Sequence, residues 1–214
     1  MTTKINKKIL TVSVSTVLIL VAQFYPIIET ATAATATDNV IVTLDVTTGI
    51  TISDGLDVTM APNIGVASDG SIGSSSWIVK TNAVNGYTLA VKASASPALV
   101  SGPNSFADYT EGTLGVPEAW SISAGTKEFG YSAYGTDTAT ATWGTAASCG
   151  AGGIPDVLQK YVGFQTSDKT IATRATVTPT SGITTTICFA AAQNAIYAPS
   201  GTYTATITAT ATTL

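Results

Sequence analysis

The sequence predicts an all-β protein, an antiparallel two-sheet β-sandwich, on three observations. From Asp38 onward, apolar residues recur at every second position in one short segment after another, the period that puts alternate side chains on one face of a strand. No segment in this part of the chain spaces its apolar residues three and four apart, as an amphipathic helix requires. Gly, Pro, Asn and Asp fall between the alternating segments, where the chain must turn.

The elements follow in order. Lys4, Lys7 and Lys8 precede an apolar run over residues 9–28, and the small residues Thr30-Ala31-Thr32-Ala33-Ala34 come after it. A basic start, an apolar middle and an A-x-A site predict a secretory signal peptide over residues 1–33, cleaved after Ala33. The run approaches the roughly 20 residues of a spanning helix, but Pro26 and the alanine-rich site favour processing over anchoring. Contact with a membrane is then expected only during export. Residues 34–214 are expected to form one sandwich domain with a loop-rich insert near 94–156.

In residues 40–46, Val40, Val42, Leu44 and Val46 share one face and Thr43 and Asp45 the other. This segment reads either as the first strand of its own sandwich or as an arm that exchanges as a strand between subunits. Thr48-Gly49 is expected to turn the chain into a short strand at 50–53. Residues 77–81 and 87–92 flank Asn85-Gly86, the dipeptide best suited to the positive φ angles of a tight hairpin. The second of these strands presents Tyr87, Leu89, Val91 and Ala93 to the core. Shorter strands are predicted at 119–123, 128–134 and 138–143, and more regular ones at 160–165, 171–178, 184–190 and 202–212. In the last, Tyr203, Ala205, Ile207 and Ala209 alternate with threonines, giving one buried face and one hydroxylated face.

Composition narrows the function. The 214 residues include 10% charged side chains and no histidine, with a net charge of −4. Charged residues usually make up about a quarter of a soluble chain, so this surface is neutral and rich in hydroxyls. Without histidine there is no Ser-His-Asp or Cys-His catalysis and no imidazole metal site. Nucleic acid is excluded as a partner, since phosphate contacts need clustered Lys and Arg. Cys149 and Cys188 are the only cysteines, and in an exported chain an even count predicts a disulfide.

Asp54-Gly55-Leu56-Asp57 and Ser68-Asp69-Gly70-Ser71 hint at calcium, but neither contains the spaced acidic ligand series of a calcium loop, and both read as turns. Asp108, Glu111, Glu118, Glu128, Asp137 and Asp156 are the acids from which a glycosidase pair would have to come. No nucleophile motif or phosphate-binding glycine loop accompanies them. No cofactor, metal or catalytic residue is predicted. The aromatic residues Phe106, Tyr109, Trp120, Phe129, Tyr131, Tyr134 and Trp143 concentrate in the insert. They serve either to stack on sugar rings or, as the alternation of Phe129 and Tyr131 suggests, to pack a buried sheet face.

Three stretches together carry a resemblance: residues 42–52, the pair of strands over 77–91, and the closing Gly201-Thr202-Tyr203-Thr204-Ala205-Thr206-Ile207-Thr208-Ala209-Thr210. They resemble secreted fibre-subunit sandwiches, similar to spore-coat-U-type and other chaperone-assembled pilins, whose last strand also begins with Gly-x-Tyr. The chain is also similar to uncharacterised surface proteins of uncultured bacteria. The likeness spans about a third of residues 34–214. That pilin family carries cysteines in its first strands, whereas Ile50 and Thr81 stand at the corresponding places here, and the segment 94–156 has no counterpart. The resemblance implies an Ig-like or pilin-like sandwich, secreted or held at the cell surface, and it transfers no site residue. The function expected is a non-catalytic subunit of a surface fibre, pilus or coat whose partners are itself or other surface subunits. The alternative is a monomeric adhesin or polysaccharide-binding module that uses the aromatics of 94–156.

Overall fold

A computed structural model describes residues 35–214; the predicted signal peptide lies outside the described residues. The chain is nearly all β, with antiparallel sheets. Thirteen strands are described: β1 (Ile50–Ile52), β2 (Gly70–Thr81), β3 (Tyr87–Ala93), β4 (Leu99–Ser101), β5 (Asn104–Asp108), β6 (Glu118–Ala119), β7 (Lys127–Gly135), β8 (Gly150–Ala151), β9 (Ile154–Pro155), β10 (Lys160–Gly163), β11 (Lys169–Arg174), β12 (Ile183–Gln193) and β13 (Ile207–Thr213). Among the described residues the one helical element is a single turn, α1 (Thr140–Trp143), within a segment predicted as a strand.

The larger sheet runs β1-β2-β12-β7-β10-β6, with the β4-β5 pair joined to β7, and the smaller runs β11-β3-β13. Among the described strands the only parallel pairing is the short contact of β5 with β7. One hydrophobic core lies between the sheets. Trp77, Val79, Phe129, Tyr131, Ala133, Ile187 and Phe189 reach it from the larger sheet, and Tyr87, Leu89, Val91, Ala93 and Ile171 from the smaller. Phe129, Tyr131, Phe164 and Phe189 pack with ring centroids 4.3 to 6.2 Å apart, within the range of favourable aromatic pairs.

β3 follows its sequence pattern: Tyr87, Leu89, Val91 and Ala93 are all buried. The predicted hairpin before it is not formed. β2 belongs to the larger sheet and β3 to the smaller, so the turn at 83–86 carries the chain between the sheets instead of pairing the two strands. Both strands have an apolar face to bury, and facing each other across the core buries both at once. Gly86 still has a left-handed φ of 79°. A side chain there would collide with the Arg174 carbonyl.

β12 lies between β2 and β7 and is covered on both faces. Ile187, Phe189 and Ala191 enter the main core, while Cys188 and Ala190 join a second cluster with Tyr109 and Tyr161. Trp120, Ile122, Tyr134, Ile72 and Cys149 pack against that cluster. The segment 94–156, expected as an insert, thus supplies β7 to the middle of the larger sheet and covers part of its outer face.

Candidate functional site

The smaller sheet ends at β13. Its seven residues pair with β3 from Ile207 opposite Ala93 to Thr213 opposite Tyr87. Just before it, Thr204 exchanges backbone hydrogen bonds with Val100. Along its other edge no backbone hydrogen bond joins β13 to any described residue. The predicted alternation is present, yet the inward face is only half-covered: Ile207, Ala209, Ala211 and Thr213 are half-buried and the residues between them exposed. Their counterparts on β3 are sealed. Ile50, Val58, Met60, Ile64, Tyr203 and Ala205 are likewise only partly buried where they meet the core.

The other edges are protected. On β11, Thr173 donates its N–H to the Asp137 carbonyl, and Lys169 and Arg174 place charge at either end. β1 and β6 span only three and two residues. Shortness, charge and cover are the usual means by which proteins blunt exposed edges. Residues 203–214 contain no charge and no proline.

The chain ahead of β1 forms no strand over residues 35–49. Val40, Val42, Leu44 and Val46 are 82, 87, 83 and 77% exposed, so residues 40–46 add no strand to the sheets described. The turn predicted at Thr48-Gly49 is also absent. Instead, Asn82 Oδ1 accepts the Gly49 N–H at 2.7 Å, Asn82 Nδ2 donates to the Thr47 carbonyl at 2.8 Å, and Thr81 Oγ1 donates to the Gly49 carbonyl at 2.8 Å. Gly49 is not among the residues with positive φ.

Cys149 and Cys188 form the predicted disulfide, closing a separation of 39 residues. The bond ties the 144–159 segment to the buried β12, and a buried disulfide points to an oxidising compartment. The candidate acids are engaged with the backbone and with hydroxyls. Glu111 accepts the N–H groups of Gly163 and Gly115, and Glu128 that of Thr110. Glu118 accepts from Gly112 N–H and Tyr109 Oη, and Asp108 from Ala98 N–H and Ser96 Oγ. Asp156 accepts from Leu158 N–H and Ser148 Oγ, and these two bonds hold its carboxyl below the usual carboxylate range. Asp137 is buried between Arg174, at 3.1 Å, and the Tyr87 hydroxyl, at 2.8 Å. It lines an open cleft of about 400 Å³ with Thr136, Thr138, Thr142 and Thr170. Among the described residues no group of three or more acids and cysteines is placed to hold a metal ion.

Phe106, Tyr109, Phe129, Tyr131 and Trp143 are each buried to within 3% of full burial. Their rings are packed in the two clusters and offer no open face for a sugar. Trp120 is half-buried, stacked on Tyr109 at 4.5 Å. The two features the sequence leaves unmarked are the half-burial of β13 and the grip of Asn82. Alternation looks the same in a sealed strand and in an open one, and a lone asparagine before a turn is commonplace. Comparison with protein-family models, with curated proteins and with solved structures finds no match.

Proposed function

We propose that the protein is an exported, non-catalytic structural subunit of a surface fibre or coat, built on a pilin-like sandwich, and that it assembles through the free edge of β13. The observation that carries this reading is the combination at β13: seven residues of unpaired, uncharged edge beside a core face that is only half-covered. An open edge of this kind is a template for another strand, in which main-chain hydrogen bonds give affinity and alternate side chains fill the space. Covering it also removes apolar surface from water, which is worth about 25 cal/mol per Å². Residues 40–46 suit the role of added strand, with four apolar side chains on one face and all of them exposed. The disulfide and the predicted signal peptide support a place outside the cytoplasm.

The test begins with the chain from Ala34 onward. It is expected to form oligomers or filaments by light scattering and electron microscopy as its concentration rises. Ala209→Lys is expected to leave a folded monomer, because the free edge lets the long stem reach water while an added strand would bury the charge. A parent chain that stays monomeric at all concentrations, or an Ala209→Lys variant that assembles like the parent, contradicts the reading.

A further inference from the structure

We propose that the cleft between residues 136–143 and β11 is a binding site for a neutral sugar, a mono- or disaccharide unit. The inference goes beyond the fibre or coat reading and does not depend on it. β11 and β13 are the two outer strands of the smaller sheet, so the cleft is at the opposite edge from the proposed assembly strand.

One wall is β11. In a regular strand Thr170 and Thr173, three positions apart, would point to opposite faces. The pairing of β11 with β3 shifts register between Thr170 and Ala172, a bulge that carries one extra residue. Ile171 and Ala172 are consequently buried in succession, while Thr170 and Thr173 both stay exposed. Both threonines line the cleft. Bulges are over-represented next to active sites because they re-aim side chains in this way.

The other wall is the turn after β7 together with α1. The Thr173 N–H donates to the Asp137 carbonyl and ties this wall to β11. The Thr138 N–H and hydroxyl both donate to the Gly135 carbonyl, and the N–H groups of Thr142 and Trp143 donate to the Ala139 carbonyl. Trp143 anchors α1 by packing against Tyr131 in the core, with ring centroids 5.7 Å apart. The cleft is thus formed before a ligand arrives, which lowers the ordering cost of binding.

The lining selects the ligand. Threonines 136, 138, 142, 170 and 173 face a volume of about 400 Å³, within the roughly 300 to 1,000 Å³ of small-ligand sites. Among the described residues, Thr138 is the one of them whose hydroxyl is hydrogen-bonded to the protein; the other four hydroxyls are free to donate and to accept. Asp137 is the one charged residue in the lining. Both its oxygens are engaged, Oδ1 by Arg174 at 3.1 Å and Oδ2 by the Tyr87 hydroxyl at 2.8 Å. A cationic ligand would find that charge already balanced, and an anionic one would meet no cation in the lining. An apolar ligand would bury the threonine hydroxyls without partners, which is unfavourable. Sugar hydroxyls donate and accept as the threonines do, and the C–H faces of the ring have Trp143, Ile171 and Ala139 to lie against.

The test is an amide NMR titration of the chain from Ala34 onward with glucose, galactose, cellobiose and lactose, and with glucuronate, galacturonate, glucosamine and galactosamine as charged counterparts. At least one neutral sugar is expected to shift the amides of residues 136–143 and 170–173 saturably, with one ligand per protomer and an affinity about fivefold or more above the charged counterparts. Thr142→Val with Thr170→Val replaces two accessible hydroxyls by methyls of the same shape and is expected to weaken binding about fivefold or more. Ala139→Trp fills the cleft from an exposed position and is expected to abolish binding. Both variants are expected to keep the β-sheet circular dichroism of the parent, and Thr51→Val, at an exposed threonine on β1, is expected to bind like the parent. A titration in which no neutral sugar shifts those amides, or a double valine variant that binds like the parent, overturns the site. A charged counterpart that binds more tightly than its neutral sugar overturns the ligand class.

Discussion

Tyr87, Tyr109, Tyr131 and Tyr161 show at the scale of single residues how this chain handles polar groups in its interior. Burial pushes all four phenols above their ordinary value, Tyr109 to about 12. For Tyr87 the Asp137 carboxylate adds to the effect, and for Tyr131 the charge of Glu111 does. The folded state therefore binds these protons more tightly than the unfolded state, whose phenols titrate near 10. The stabilisation is fully present below pH 10 and is lost as pH rises from there through about 12. We expect absorbance titration at 295 nm to show these four phenols ionising late and together with the loss of the β-sheet circular dichroism. Ionisation of all the tyrosines near pH 10 in a chain that remains folded would contradict the packing described. The sequence marks Tyr87 and Tyr131 as core residues through their alternation. It does not mark Asp137 and Arg174 as a partly buried pair, because they lie 37 positions apart and meet only through the fold.

At the scale of elements, legibility depended on how many faces a strand buries. β3 buries one face fully and alternates cleanly, so its core residues are readable from the sequence. β12 is covered on both faces and reads Ile-Cys-Phe-Ala-Ala-Ala, a run with no alternation to orient it. The first half of β2, Gly70 to Ser76, is glycine and serine around a single isoleucine, a composition that signals loop until β12 pairs along one side of it and Ala61 bridges to Ile72 on the other. The Asn85-Gly86 turn was readable as a turn but not as a connection between sheets, because a turn signal is local and the choice of partner is not. The disulfide is the element-scale feature that export makes readable. It closes a 39-residue separation onto β12, and chain entropy assigns such a loop about 3 to 4 kcal/mol. Denaturant unfolding of a Cys149→Ala, Cys188→Ala double variant is expected to show a loss of that size. A loss under about 1 kcal/mol would mean that the bond constrains little that packing does not already hold.

For the whole molecule, among the described residues, β13 is the strand of the smaller sheet whose outer edge has no hydrogen-bonded neighbour, with β1 of the larger sheet lying within 8 Å of it. β3 is buried between two partners, and β11 is guarded by charge and by the Asp137 carbonyl. The alternation of residues 40–46 was legible, but that these residues form no strand was not. Alternation states what a segment is able to pair with, and only the three-dimensional arrangement states whether a partner is within reach. The central claim is that the free edge of β13 is completed by strand addition when subunits assemble. Amide hydrogen exchange, compared between dilute and assembled protein from Ala34 onward, tests it most directly. Protection is expected to rise in residues 207–213 and 40–46 together and to stay unchanged in β3 and β12, which are already sealed. Assembled protein in which those two segments exchange as fast as in the dilute state, with new protection elsewhere, would contradict the account.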